Sequence, residues 1–81
     1  MGKLEHFLDE GVIVTALPKG IKLFEIKKYN SASLLRGLAK RLKKMIEEGV
    51  EHVGFGSDVE IRSMPIEDAI EAIDEFLNKY Y

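Results

Sequence analysis

The chain of 81 residues contains no cysteine, no tryptophan and no glutamine, and it has only two prolines. Without cysteine, disulfide bonds and thiolate metal sites are excluded. No apolar run approaches the roughly 18 residues of a membrane-spanning helix. The N-terminus also lacks a basic segment followed by an apolar one, so we expect no signal peptide. These absences lead us to expect a cytoplasmic protein.

Glutamate, lysine, isoleucine and leucine are abundant. Together with the missing cysteine and glutamine, this composition is typical of proteins from hyperthermophiles and suggests a thermophilic archaeon or one of its mobile elements. A chain of this length forms one domain, residues 1–81. Its core is thin, and association with another chain commonly supplements such a core.

A short sequence occurs twice. LEHFLDEGV at residues 4–12 returns as LKKMIEEGV at residues 42–50. Each copy predicts the end of a helix stopped by Gly11 or Gly49, because glycine tolerates the left-handed backbone after a last helical turn. At the same offset, Leu17 matches Phe55 further along the chain. The pattern predicts a tandem repeat of residues 4–41 and 42–81, whose units bury their apolar faces against each other.

The periodicity predicts three helices and two hairpins. Apolar spacing indicates helices over residues 3–10, from Ser31 as N-cap to about Glu48, and from Pro65 onward. Segments rich in β-branched residues flank short turns and predict hairpins over residues 12–26 and 50–64. The order α-β-β-α-β-β-α predicts an α+β two-layer sandwich, in which helices pack on one face of a four-stranded antiparallel sheet.

In the first hairpin, apolar residues do not alternate regularly with polar ones, so neither side of the strand is entirely polar. In IKLFEIKK, Ile21 and Leu23 point to one side of the strand, and Phe24 and Ile26 point to the other. Either a bulge shifts the phase, or both sheet faces are partly apolar and the second is covered by the first helix or by another subunit. We expect Ile13, Phe24 and Ile26 to form the interface of a homodimer.

Charge is divided along the chain. Residues 18–45 contain nine basic residues and one acid, Glu25, whereas residues 46–81 contain ten acids and two basic residues. The basic residues around Tyr29 can bind the phosphate backbone of a nucleic acid. Alternatively, the basic face of the second helix can form salt bridges with the acidic last helix. The low pI and the lack of a groove-reading motif count against nucleic acid. As an alternative function, nucleic-acid binding would use Lys27, Lys28, Arg36, Lys40, Arg41, Lys43 and Lys44.

No pattern predicts a catalytic, cofactor or metal site. The spacing of His6, Asp9 and Glu10 can place ligands on one helix face, but it is ordinary for a helix surface. VGFGSD lacks the ending of a phosphate-binding loop and reads as a hairpin turn. The sequence therefore favours a non-enzymatic, self-associating assembly or adaptor protein, without cofactor, metal or small-molecule ligand.

LEHFLDEG, together with the element order, faintly resembles the LAGLIDADG homing endonucleases. In that family an acidic residue before a glycine binds a divalent metal, and the resemblance implies Glu10 as its counterpart. Glu5 and His6 stand where the family has small residues for helix packing. The stretch is one residue shorter, and the chain has about half the usual domain length. We therefore do not extend the endonuclease activity to this chain.

Overall fold

The computed structural model describes residues 2–17 and 24–81. This part of the chain is α+β, with three helices and five strands. No described helix is long and apolar enough to cross a membrane. The elements are α1 (Gly2–Glu10), β1 (Val12–Ile13), β2 (Thr15–Leu17), β3 (Ile26–Lys27), α2 (Ala32–Glu47), β4 (His52–Gly56), β5 (Ile61–Pro65) and α3 (Ile66–Tyr80).

The strands form two small antiparallel sheets. β1 pairs with β3, and β4 lies between β2 and β5 in a three-stranded sheet. Residues 12–17 change partner at Val14, because Val12 and Ile13 pair with β3 whereas the next three residues pair with β4. The described residues thus contain two sheets, and the predicted single four-stranded sheet is not found among them. Residues 18–23, with the predicted strand positions Ile21 and Leu23, lie outside the described residues.

The predicted helix ends are largely confirmed. The Ser31 hydroxyl accepts a hydrogen bond from the Leu34 backbone N–H at 3.3 Å, as an N-cap does. Gly11 and Gly49 both have positive φ, 138° and 89°, which few residues other than glycine adopt readily. Pro65 is not the first helical residue as predicted, because it is the last residue of β5 and pairs with His52.

The second hairpin is confirmed with shifted bounds. Its strands lie two residues further along than predicted at their starts, and the Ser57 N–H donates to the Glu60 carbonyl at 2.8 Å across the turn. The first hairpin pairs Ile13 with Ile26, and the equivalent positions of the second repeat unit are Glu51 and Met64. In the structure Met64 instead pairs with Val53, so the register of the second hairpin is displaced by two residues. A displacement by two residues keeps each side chain on the same face of the sheet. The tandem repeat itself stays a prediction.

One apolar cluster lies between the helices and the strands. β1, β2 and β4 contribute alternate residues, and all three helices contribute their apolar stripes, so α1 packs into the same cluster as α2 and α3. The buried members are Leu4, Phe7, Leu8, Val12, Val14, Ala16, Tyr29, Leu35, Leu38, Ala39, Leu42, Met45, Val50, Val53, Phe55, Ile66, Ala69 and Ile73.

α2 and α3 are antiparallel neighbours. Arg36 in the second turn of α2 lines a groove with Leu77 and Tyr81 at the end of α3. At the opposite end, Ile46 lies beside Ile66, where α3 begins. The Tyr81 hydroxyl also donates to a backbone carbonyl just before α2, at 2.7 Å. α2 and α3 therefore form one layer, and the exposed sides of both helices make up its outer surface.

Candidate functional site

The sheet face turned away from the core cluster is the first candidate site. Ile13 and Thr15 alternate with core residues along one strand, so they point away from the cluster. Cross-strand partners share a face, and Ile26 lies opposite Ile13, Gly54 opposite Thr15, and Ile61 opposite Gly56. We call this surface the outer face, and its members are Ile13, Thr15, Ile26, Gly54, Gly56 and Ile61.

Two glycines form the floor of the outer face. A Cβ placed on Gly54 would lie 3.0 Å from the Cγ2 of Ile61 and 3.8 Å from the Cβ of Thr15. A Cβ on Gly56 would lie 2.0 Å from the backbone oxygen of Glu60. The isoleucine thus leans over Gly54, the backbone of the turn covers Gly56, and both glycines are buried. The outer face is therefore a shallow trough whose glycine floor is covered within the chain and whose edges carry exposed apolar side chains.

Two of the three predicted interface residues are exposed. Ile26 is 69% exposed and Phe24 is 65% exposed, two positions apart along the same segment. Ile61, at the opposite edge of the trough, is 50% exposed. Ile13 is only 7% exposed, because it is buried within the chain beside Ile26. Ile13 therefore offers little surface to another molecule.

Around β3 the charged side chains point toward the helices. The Arg41 guanidinium of α2 donates to the carboxylate of Glu25, and the Nζ of Lys27 lies 3.6 Å from the same carboxylate. Lys27 pairs with the core residue Val12, which places it on the helix side. This segment thus turns its charges inward and its apolar side chains, led by Ile26, outward.

This charged cluster changes two pKa values. Burial alone would raise the pKa of Glu25, but the hydrogen bond from Arg41, the nearby Tyr29 hydroxyl and the positive charges of Arg41 and Lys27 outweigh it, so the pKa is lowered. Burial first, and then the neighbouring Glu25 carboxylate, raise the pKa of Tyr29. Tyr29 is 3% exposed, and its hydroxyl has no hydrogen-bond partner among the residues that the structure describes. Its ring therefore cannot stack on a nucleic-acid base.

The seven predicted nucleic-acid-binding residues fall into two groups. Lys27 and Arg41 are paired with Glu25 and are partly neutralised. The others are exposed and make no ion pair among the described residues, and they are Lys28, Arg36, Lys40, Lys43 and Lys44. Within the same part of the chain, no ion pair links α2 with α3, although these helices are neighbours.

The first helix does not gather a metal site in the part of the chain that is described. The Nδ1 of His6 lies 3.4 Å from a carboxylate oxygen of Glu10, and both side chains are more than half exposed. No group of three or more histidine, cysteine, aspartate or glutamate side chains is arranged to hold a metal ion among residues 2–17 and 24–81. Glu10 thus forms an ordinary surface pair with its i, i+4 neighbour.

No protein-family model matches the chain, and neither curated proteins nor solved structures give a match. Function must therefore be argued from the geometry. Sequence reasoning found one edge of the outer face but missed Gly54, Gly56 and Ile61. The signal is present in HVGFG, where glycines alternate with the large apolar residues Val53 and Phe55, but the same pattern also fits a hairpin turn and its strand.

Proposed function

We propose that this chain is a small non-enzymatic assembly protein that pairs with a second copy of itself through the outer face. The observation that supports this most directly is the orientation of β3, with Ile26 outward and Lys27 toward the helices. Exposed apolar side chains gathered on one face are typical of association surfaces. Arg41 pairs with the Glu25 carboxylate that faces the helices. This ion pair stabilises the orientation of the strand in which Ile26 points outward.

The shape of the outer face favours a second copy as the occupant. Ile26 and Ile61 stand at opposite edges of a trough floored by Gly54 and Gly56. A twofold axis through the trough would bring the exposed apolar edge of one copy against an exposed apolar edge of the other, and it would do so twice. An isologous contact needs this kind of self-complementary surface.

Sedimentation velocity at micromolar concentration tests the proposal. The wild type is expected to contain more than one chain. Ile26→Thr keeps a β-branched side chain but removes apolar area from both copies, and we expect the dissociation constant to rise by about tenfold or more. Ile46→Thr is the matched control, because Ile46 is also exposed but lies on α2. Both variants are compared at about 500 mM salt, where contacts between charged helix surfaces are screened.

Two results would overturn the proposal. One is a wild type that sediments as a monomer at every concentration. The other is equal weakening by the Ile26 and Ile46 substitutions, which would indicate that association does not use the outer face. Far-ultraviolet circular dichroism of each variant checks that the fold is retained.

Nucleic-acid binding is the second candidate, and the unpaired cations of α2 favour it. Lys40 and Lys44 are exposed and lack ion-pair partners in the described part of the chain. The acidic residues of neighbouring α3 and the burial of Tyr29 argue against it. Phosphate contacts are strongest at low salt. Undetectable binding to duplex and single-stranded oligonucleotides at about 50 mM salt would therefore eliminate this candidate.

A tandem duplication, with both hairpins in one continuous sheet, is our proposal for the origin of this architecture. Gly11 and Gly49 support it, because both have positive φ at matching positions of the repeat. An experimental structure tests the idea by superposition of the hairpins at residues 12–26 and 50–64. Hairpins that do not superpose would remove it, while the outer face would keep its own test.

A further inference from the structure

The surface of the helix layer is divided between two charges of opposite sign. The exposed side of α2 has a basic stripe, and the exposed side of α3 has an acidic stripe. We define the basic stripe as Arg36, Lys40, Lys43 and Lys44. We define the acidic stripe as Glu67, Asp68, Glu71, Asp74 and Glu75. Because the helices are antiparallel neighbours, the two stripes run side by side along the layer.

The stripes meet at one end of the layer, where Arg36 and Asp74 line the same groove. No member of either stripe makes an ion pair among residues 2–17 and 24–81. The nearby cation Arg41 is paired with Glu25, and Lys79 lies over the ring of Tyr80 at 5.3 Å. In the part of the chain that the structure describes, the layer thus presents two stripes of charge without ion-pair partners.

The groove contacts fix which residues of the two helices lie at the same height. Arg36 lies near Leu77, and Ile46 lies near Ile66, at the two ends of the helix pair. With the same rise per residue in both helices, Lys40 falls between the heights of Glu71 and Glu75. Lys44 likewise falls between those of Asp68 and Glu71. Opposite charges therefore lie at matching heights along the layer.

We propose that a second copy docks on the helix layer, with the basic stripe of each copy against the acidic stripe of the other. A twofold axis parallel to the helices places α2 of one copy opposite α3 of its partner. A twofold axis that lies across the helices would instead place α2 opposite α2, and like charges would face each other. Charge complementarity thus selects both the occupant and the symmetry axis.

A glycine in α2 fits this arrangement. Gly37 is exposed, and no neighbouring element among the described residues lies within 4 Å of a Cβ built on it. Glycine costs about 1 kcal/mol relative to alanine inside a helix, and no contact in the described part of the chain explains it. Gly37 lies one turn from both Ser33 and Lys40 on the exposed side, so the backbone of α2 is accessible to a closely approaching helix.

A nucleic acid is a poorer occupant of the same surface. Helix axes that pack together are about 8–10 Å apart, so a phosphate on the basic stripe would lie within about a Debye length of the acidic stripe. The carboxylates would repel it at low salt, where phosphate contacts are otherwise strongest. A second copy meets attraction from both stripes at once.

This contact goes beyond the outer-face dimer, because it uses the opposite side of the molecule. The outer-face contact is apolar, whereas the helix-layer contact depends on charge and is weakened by salt. A chain with both contacts would assemble beyond a dimer. The Ile26→Thr background, in which the outer face is weakened, allows the helix-layer contact to be measured by itself.

The test is a charge exchange measured by sedimentation velocity in that background. Lys40→Glu/Lys44→Glu makes the basic stripe acidic, and Glu71→Lys/Glu75→Lys makes the acidic stripe basic. At about 20 mM salt we expect each variant alone to associate at least about tenfold more weakly than the unexchanged chain. An equimolar mixture of the two should recover association, because opposite stripes again face each other in the mixed pair.

A second measurement needs no exchanged variant. Association of the Ile26→Thr chain should weaken by at least about tenfold between 20 and 500 mM salt. Salt-independent association, or a mixture that remains as weakly associated as its components, would overturn the proposal. Loss of duplex binding in Lys40→Glu/Lys44→Glu with unchanged self-association would also overturn it, in favour of a nucleic acid. None of these outcomes depends on whether the outer face forms a dimer.

Discussion

The two faces of the strands differ far more than their sequences suggest. Val14 and Phe55 lie on the core face and are fully enclosed beneath the helices. One position along each strand, Thr15 and Gly54 lie on the outer face. Both are also buried, but this face has exposed isoleucines at its edges. Strand alternation decides which side chains share a face, and the helices decide which face is covered up to its edges.

The contrast is sharpest around β3. Along most half-buried strands the polar residues face water, yet here Glu25 and Lys27 face α2 and Ile26 faces outward. The Arg41 guanidinium makes this arrangement possible, because it supplies a partner for the inward carboxylate. An outer face built in this way is suited to contact with another molecule, because its exposed side chains are apolar although its charged neighbours face the helices.

The largest expected difference between the faces comes from their apolar side chains. Phe55→Ala should lower the free energy of unfolding by about 3–5 kcal/mol, because it empties a fully buried site. Ile26→Ala should change it by less than about 0.5 kcal/mol at protein concentrations too low for association. Urea unfolding at such concentrations measures both. Comparable losses would mean that the outer face is covered within the chain.

Alanine substitutions at Gly54 and Gly56 place a new methyl group against a side chain in one case and against backbone in the other. Gly56→Ala should lower the free energy of unfolding by about 1–3 kcal/mol, because the Cβ would lie 2.0 Å from a backbone oxygen. Gly54→Ala should cost less, because its nearest neighbour is the Ile61 side chain, which can shift. Thermal unfolding of the two variants checks the order. A greater loss for Gly54→Ala would contradict the trough geometry.

Exchanging valine and threonine at two adjacent positions tests how each face of the strand tolerates a buried hydroxyl. Thr15 is buried and its hydroxyl has no hydrogen-bond partner in the described part of the chain. Thr15→Val should therefore stabilise the fold by up to about 1 kcal/mol, whereas Val14→Thr should destabilise it by about 1–3 kcal/mol. Urea unfolding of both variants measures the signs. Destabilisation by Thr15→Val would imply that the hydroxyl has a partner, such as an ordered water.

The smallest expected effect concerns the inward charge beside β3. The pKa of Glu25 is lowered in the fold, so its stabilising contribution is present above the ordinary pKa of 4.5 and is lost as pH falls through the folded value. Because the pair is partly exposed, Glu25→Gln should cost less than about 1 kcal/mol at pH 7. The difference between variant and wild type should disappear in acid.

Unfolding in urea at a series of pH values measures that difference. Glu47→Gln is a matched control, since Glu47 is exposed on the same helix layer without an ion-pair partner among the described residues. A Glu25→Gln effect that is constant from pH 7 to pH 3, or equal to that of the control, would contradict the inward orientation of the carboxylate.

Much of the local structure could be predicted from the sequence. The Ser31 cap, the stops at Gly11 and Gly49, and the apolar stripe of α2 all depend on residues within one or two helical turns. The candidate site was predicted only in part. Ile26 was identified from strand alternation, but Gly54 and Ile61 were not, because their place on the outer face depends on the pairing of β4 with β2 and β5.

The helices, their ends and the second hairpin follow from the amino-acid sequence, because each arises from contacts between residues close along the chain. The change of partner at Val14, the pairing of Arg41 with Glu25 and the burial of Tyr29 arise only when distant segments pack together. These features depend on distances between segments that are far apart in sequence. Periodicity and capping preferences contain no information about such distances, because many arrangements of the same helices and strands satisfy them equally well.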